Sequence, residues 1–137
     1  MEELILKRIS EHKETIEELS GYKGTIKKIA ETIINCYKHN GKVILFGNGG
    51  SCSDSMHLAT EFVSRYYFNR KSLPAIALTD NVSLTAIGND YSFEDVFAKQ
   101  VEGFVKKGDV VIGISTSGNS KNVIKAVEKT KELGGIT

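Results

Sequence analysis

With 137 residues, 40% of them apolar, the chain is long enough for one packed domain and too short for two. Eighteen basic against seventeen acidic residues leave a net charge of +1, which excludes a field strong enough to draw nucleic acid or a membrane surface. A small molecule, or another copy of the chain, is the expected partner.

No apolar run is long enough to span a bilayer, and Met1-Glu2-Glu3 carries acid where a secretion signal needs positive charge. The only cysteines, Cys36 and Cys52, lack metal-site spacing and fit reduced thiols, so a cytoplasmic protein is expected.

Residues 2 to about 19 read as a helix whose Ile5, Ile9, His12, Ile16 and Leu19 fall at alternating spacings of four and three. This narrow stripe suits either packing on its own domain or a seam between subunits, with His12 a tolerated polar member. Gly21 and Gly24 are expected to punctuate the chain before a second helix, roughly residues 22 to 39, with Ile26, Ile29, Ala30, Ile33, Ile34 and Tyr37 as its apolar face. Cys36 reads as a core residue of that helix. His39-Asn40-Gly41 is a stop signal, leading through Lys42 into a strand, Val43 to Phe46.

That β-branched, apolar run breaks in Gly47-Asn48-Gly49-Gly50-Ser51, and a helix is expected from about residue 52 to 66. A strand that enters a helix through a glycine turn brings backbone N–H groups to an anionic ligand, so a phosphate or sugar cradle is expected here. The dinucleotide fingerprint G-x-G-x-x-G fails at Cys52, and Asp80 lies too far on to serve as its acidic residue. No Gly-Lys-Ser/Thr exists for a P-loop, and neither serine-containing loop completes G-x-S-x-G. Met56, Ala59, Phe62 and Val63 are the candidate packing positions. His57 and Glu61, four apart, share one face; such a pair is most often a surface contact, but here it follows an anion-binding turn. Arg65 is placed to extend that face toward substrate oxygens or to pair with Glu61.

Arg70-Lys71-Ser72 with Pro74 reads as a loop and residues 75–79 as a short strand, ended by Asp80 and Asn81. A short helix through Val82 to Ile87 is expected to stop in the turn Gly88-Asn89-Asp90, whose side chains are candidates to meet a ligand. Another helix is expected over 93 to about 105, packing Phe93, Val96, Phe97, Val101 and Phe104. The third strand, Val110 to Ile114, ends in Ser115-Thr116-Ser117-Gly118-Asn119-Ser120 before an amphipathic helix carrying Val123, Ile124, Val127 and Leu133. One or two of these hydroxyls are explained as N-caps; four around a glycine exceed what capping requires. They suit a phosphate held by hydroxyls and a helix N-terminus without Lys or Arg. Alternating strands and helices imply a parallel sheet with both rich loops on its carboxyl edge, where such sheets bind ligands.

Taken together, Gly47-Asn48-Gly49-Gly50-Ser51, Met56-His57 with Glu61, Pro74-Ala75-Ile76-Ala77, Gly88-Asn89-Asp90 and Gly113-Ile114-Ser115-Thr116-Ser117-Gly118-Asn119-Ser120 closely resemble the sugar isomerase (SIS) domain. Within that family they are similar to the isomerases of phosphorylated heptoses. The resemblance covers nearly the whole chain and implies a three-layer α/β/α fold with a parallel sheet behind N-terminal helices, as a single domain over 1–137. Residues 1–40 would serve packing and oligomerisation and residues 41–137 would form an incomplete parallel core. It implies a homotetramer with sites between subunits, which favours the subunit-seam reading of the first helix. It further implies conversion of sedoheptulose 7-phosphate to D-glycero-D-manno-heptose 7-phosphate for bacterial heptose and lipopolysaccharide synthesis.

By position, the resemblance gives Ser115, Thr116, Ser117 and Ser120 to the phosphate and Asn48, Gly49, Gly50, Asn89 and Asp90 to the sugar. It gives His57 and Glu61 to a zinc ion, with Glu61 also touching substrate as acid/base. Family members continue past Gly134-Gly135-Ile136-Thr137 with two strands and a helix that supplies a Gln and a His. A piece of a longer protein is therefore expected, with the third strand left at an open edge and the remaining zinc ligands supplied by the segment that follows. Two other readings stand beside catalysis on a heptose phosphate. One is a non-catalytic SIS module that binds sugar phosphate or the bacterial replication initiator; the other is an isomerase or lyase for another sugar phosphate, such as an amino-hexose.

Overall fold

The computed structural model describes all 137 residues, Met1–Thr137, which divide into two compact units, Met1–Ile34 and Asn35–Thr137. In the first unit, α1 (Glu2–Leu19) is followed by a single 3-10 turn, Ser20–Tyr22, and by α2 (Lys23–Lys38), which continues into the second unit. The punctuation expected before the second helix takes the form of that 3-10 turn, which holds Gly21, while Gly24 falls inside the first turn of α2. Leu19, Ser20 and Lys23 all keep right-handed helical dihedrals, so the glycines are carried within helical backbone. None of the residues of α1 is buried, and Ile5, Ile9, Ile16 and Leu19 each remain about half exposed. Its Arg8–Glu11 pair, at 2.7 Å, is a solvated surface contact that adds little stability.

The second unit is built on a parallel sheet of three strands, β1 (Val43–Gly47), β2 (Ala75–Ala77) and β3 (Val110–Ile114), in the order β2-β1-β3. Val43 aligns with Ala75 on one side and with Val110 on the other. A parallel strand covered on both faces reads as an unbroken apolar run, and Val43, Ile44, Leu45 and Phe46 are all fully buried. Ile44 and Phe46 join Val111, Val96, Phe97 and Val101 in the main core, where the rings of Phe46 and Phe97 stack at 5.0 Å. Cys36, 3% exposed, is a core residue as expected, and burial pushes its thiol up.

Four elements differ from their sequence expectation. Helix α3 runs Gly50–Val63 and buries Ser51, Ser55 and Ala59, leaving Met56 and Val63 nearly half exposed. Small side chains at i, i+4 and i+8 let the helix lie close to the strands, and that decides the face over raw hydrophobicity. Strand β2 stops at Ala77, and α4 (Asn81–Asp90) absorbs Gly88, Asn89 and Asp90, which were expected to turn. Asp80 caps this helix by accepting from Ser83 N at 2.7 Å, while Leu84 and Ile87 pack on the core. The expected helix over 93–105 is split into a 3-10 turn at Phe93–Asp95 and α5 (Ala98–Phe104), with Phe93 and Phe104 exposed. Ion pairs from Asp95 to Lys125, 2.6 Å, and from Glu94 to Lys121, 3.0 Å, tie that turn to α6 (Lys121–Glu132). The outer edge of β3 is not bare throughout, because Ile136 bridges Val110 in parallel and accepts from Val111 N at 2.8 Å.

At the amino edge of the sheet, the Asp109 carboxylate, 3% exposed, is held by three donors. Lys42 Nζ lies at 2.5 Å, Lys106 N at 2.8 Å and Lys42 N at 3.0 Å. Burial alone would raise this carboxyl; the donors overcome that and hold it below the ordinary carboxylate range. Its contribution to stability is therefore complete above about pH 4, where the unfolded carboxyl is ionised, and is lost as pH falls through the lower folded value. Asp109→Asn is expected to cost about 2–3 kcal/mol at pH 7, less than a fully buried pair because Lys42 keeps part of its side chain in water. Denaturant unfolding at pH 7 and again near pH 2 checks this, since the gap between variant and parent should shrink at the lower pH.

Candidate active site

Two loops leave the carboxyl edge of the sheet side by side, because β1 and β3 are neighbours in register with Gly47 opposite Ile114. Gly47 has no room for a side chain: a Cβ there would stand 2.7 Å from Ser51 Cβ and 2.8 Å from Ile114 O. The chain therefore turns tightly enough for α3 to start at Gly50. Gly49, at φ +55°, is the N-cap of α3, and no side chain caps this helix. Ser51 N and Cys52 N already donate to Asn48 O and Gly49 O, each at 3.0 Å, which leaves the N–H groups of Gly49 and Gly50 as the candidate donors of an anion cradle.

The serine loop follows the same logic with hydroxyls added. Ser120 is the N-cap residue of α6 but makes no side-chain cap bond; its Oγ lies 3.0 Å from Ser115 Oγ, which in turn lies 3.4 Å from Ser117 Oγ. The capping role expected for one or two of these hydroxyls is therefore not taken up by Ser120. The hydroxyls turn to each other beside the start of α6, with Thr116 and Ser117 exposed. Ser117 Oγ also accepts from Asn119 N at 3.2 Å.

The loops are joined by a contact that sequence reasoning missed. Asn48 Nδ2 donates to Asn122 Oδ1 and Asn122 Nδ2 donates to Asn48 Oδ1, each at 2.9 Å, and Asn122 is 4% exposed. Position 122, between the serine cluster and the apolar stripe of α6, reads in sequence as an ordinary first-turn polar residue. No motif marks it.

On α3, His57 Nε2 lies 3.4 Å from Glu61 Oε1, with the imidazole largely in water and the carboxylate side chain 31% exposed. An open recess of about 500 Å³, lined by Asp54, His57, Leu58 and Ile114, adjoins the carboxyl end of β3. No third His, Cys, Asp or Glu joins His57 and Glu61 in a metal-binding group. Arg65 does not extend this face: α3 ends at Val63 and the Arg65 guanidinium donates to Asn69 Oδ1 at 2.5 Å. Arg70 instead closes the helix end, donating to Glu61 O and Phe62 O at 2.7 and 2.8 Å.

Glu61, Asn89 and Asp90 sit well along their own helices. Eleven residues of helix put Glu61 about 16 Å along the axis from Gly50, and Asn89 and Asp90 stand about 14 Å along α4 from its Asp80 cap. Both are exposed and contact each other, Asn89 Nδ2 donating to Asp90 Oδ1 at 2.9 Å.

A profile of the SIS domain matches residues 7–137, and the chain belongs to that family. It is 54% identical over 133 residues to the phosphoheptose isomerase of Clostridium acetobutylicum, covering 96% of this chain and 68% of that protein. A phosphoheptose isomerase of Helicobacter pylori is 49% identical over 98% of this chain and 71% of its own length. The solved phosphoheptose isomerase of Neisseria gonorrhoeae superimposes with a TM-score of 0.90 at 40% identity, covering 98% of this chain and 71% of that one. Within the SIS family the chain groups with the phosphoheptose isomerases and is an isomerase.

Gly47→Ala is expected to destabilise the chain by about 1–3 kcal/mol through overpacking against Ser51 and Ile114 O. Gly50→Ala, with open space at its Cβ, should cost much less. Thermal unfolding of the two variants side by side checks this.

Proposed function

We propose that this protein interconverts sedoheptulose 7-phosphate and D-glycero-D-manno-heptose 7-phosphate in the cytoplasm, supplying heptose for bacterial lipopolysaccharide or related glycans. The observation that carries the reading is the start of α6, where the N-cap Ser120 makes no cap bond and clusters with Ser115 and Ser117, with no lysine or arginine among them. A phosphate gains from N–H donors, hydroxyls and the positive end of the helix dipole, so Ser115, Thr116, Ser117 and Ser120 take the phosphate. Asn48, Gly49, Gly50, Asn89 and Asp90 take the sugar chain.

Glu61 is the acid/base group. It removes a proton from C1 of the ketose as O2 is protonated, giving an enediol; loss of the O1 proton and delivery of a proton to C2 then yield the aldose. A carboxylate one-third exposed is accessible to substrate and sheltered enough to work out of bulk water. Zinc, which the family resemblance implies, needs donors beyond His57 and Glu61, since two fall short of the three protein ligands of a catalytic zinc centre. The residues of this chain alone do not fit the ion, so the chemistry assigned to them is that of Glu61 and the two loops.

The place of Glu61, about 16 Å along α3 from the glycine turn, accords with a site shared between subunits of a homotetramer. The half-exposed isoleucines of α1 are apt seam residues for such an assembly. No helix is long and apolar enough to cross a membrane, which accords with the proposed compartment.

Glu61→Gln is expected to lower turnover of sedoheptulose 7-phosphate by roughly 10²–10⁴-fold while leaving sugar-phosphate affinity within a few-fold. Turnover assays and calorimetric binding of substrate to the variant separate the two quantities, and undiminished turnover would remove Glu61 from the reaction. If Glu61 and the serine loop of one site come from different subunits, mixing Glu61→Gln with the Ser117→Ala/Ser120→Ala double variant restores part of the activity that each lacks alone. Mixtures no more active than the sum of the separate variants would put the site within one chain.

A further inference from the structure

We propose that Asn122 is a positioning residue that sets the orientation of the Asn48 side-chain amide toward the sugar. The inference rests on the reading above that gives Asn48 to the sugar chain, and it adds a residue that touches no substrate.

The amide pair takes its direction from the backbone. Val123 N–H can only donate, and it lies 2.9 Å from Asn122 Oδ1, so that atom must be the oxygen. With Asn122 so oriented, its NH2 group faces Asn48 Oδ1 and its oxygen faces Asn48 Nδ2, both at 2.9 Å. Turning the Asn48 amide over by itself would set oxygen against oxygen and NH2 against NH2. The helical N–H of α6 therefore dictates, through one buried amide, which edge of Asn48 presents its donor.

What remains of Asn48 after this pairing is one N–H and one lone pair on the oxygen. Asn122 is buried and Asn48 only partly so, which leaves Asn48 as the member of the pair that a ligand can reach. A sugar hydroxyl can donate to one spare position and accept from the other, and it needs the two in a fixed order. A free asparagine would sample both orders and would have to be selected by the ligand each time. The pair also spans the two loops, 74 residues apart in sequence, so the segment that starts α6 and carries the serines is the one that orients the sugar-binding amide.

The test compares Asn48→Ala, Asn122→Ala and the double variant in steady-state turnover of sedoheptulose 7-phosphate, with inorganic phosphate as a competitive probe of the serine loop. Asn122→Ala is expected to lower kcat/KM by roughly 10–100-fold, the scale of a misplaced binding group, with phosphate inhibition unchanged within about twofold. In the Asn48→Ala background the same substitution should cost less than about twofold, because there is no amide left to orient.

Asn122→Asp keeps the acceptor for Val123 N–H but turns a second oxygen toward Asn48 Oδ1. It should lose at least as much activity as the alanine variant, and it serves where alanine fails to fold. Additive losses in the double variant, or a loss of phosphate inhibition that tracks the loss of activity, would mark Asn122 as a structural staple and overturn the proposal. Unimpaired Asn122→Ala beside an impaired Asn48→Ala would overturn the positioning role alone. An unimpaired Asn48→Ala would instead remove the assignment of Asn48 to the sugar, and this proposal with it.

Discussion

Strand β1 has no surface left for anything but packing. Val43 through Phe46 are fully buried, with β2 hydrogen-bonded on one side and β3 on the other. Because alternate side chains of a strand point to opposite faces, such a strand must be covered twice. Ile44 and Phe46 serve the cluster that includes Phe97, Val101 and Val123, while α3 lies on the strands through Ser51, Ser55 and Ala59. A strand committed in this way can reach a ligand only where it ends. The glycine turn after Phe46 is thus the nearest point at which the rigid centre of the domain meets solvent, and β3, paired to β1 along its whole length, sets the serine loop beside it.

Both loops hand the chain to a helix whose N-cap residue, Gly49 or Ser120, makes no side-chain cap bond. That choice forgoes stability, since a Ser, Thr, Asp or Asn cap is worth about 1 kcal/mol. The chain does use such a cap elsewhere: Asp80 binds Ser83 N and Ser83 Oγ at the start of α4 and is held below the ordinary carboxylate range by the hydroxyl and the N–H. Ser120 stands in the equivalent place on α6 and turns its hydroxyl to Ser115 instead. A Ser120 hydroxyl not committed to its own helix can be offered to a phosphate.

The strands and the two loops were legible in the sequence because their signals are local. A β-branched run ending in glycines, and hydroxyls crowded around Gly118, depend on nothing distant. Asn122 was not legible, because its meaning comes from Asn48 across the sheet edge. The buried face of α3 was legible at Ala59 but not at Ser51 and Ser55, for a related reason: Met56 and Val63 are the larger hydrophobes, but small side chains fit where the backbones run close. Gly88-Asn89-Asp90 carries strong turn chemistry, yet the Asp80 cap and the packing of Ile87 carry α4 through all three residues. Arg65 was placed on a helix that ends two residues before it, where Arg70 holds the last carbonyls; no spacing rule reveals that return of the chain.

The two ends of the sheet treat charge in opposite ways. At the amino edge, Asp109 is buried among three donors and works for stability. At the carboxyl edge, the serine loop offers hydroxyls and N–H groups with no cation. Neutral donors fixed by the backbone do not need to be recruited from water, and their attraction for an anion is short in range. A lysine or arginine in the loop would bind phosphate more tightly, but it would also pull on any carboxylate brought to the same site and draw it from the substrate. Holding the phosphate by dipoles leaves the charge of Glu61 free for the carbon-bound proton, wherever in the assembly the two meet.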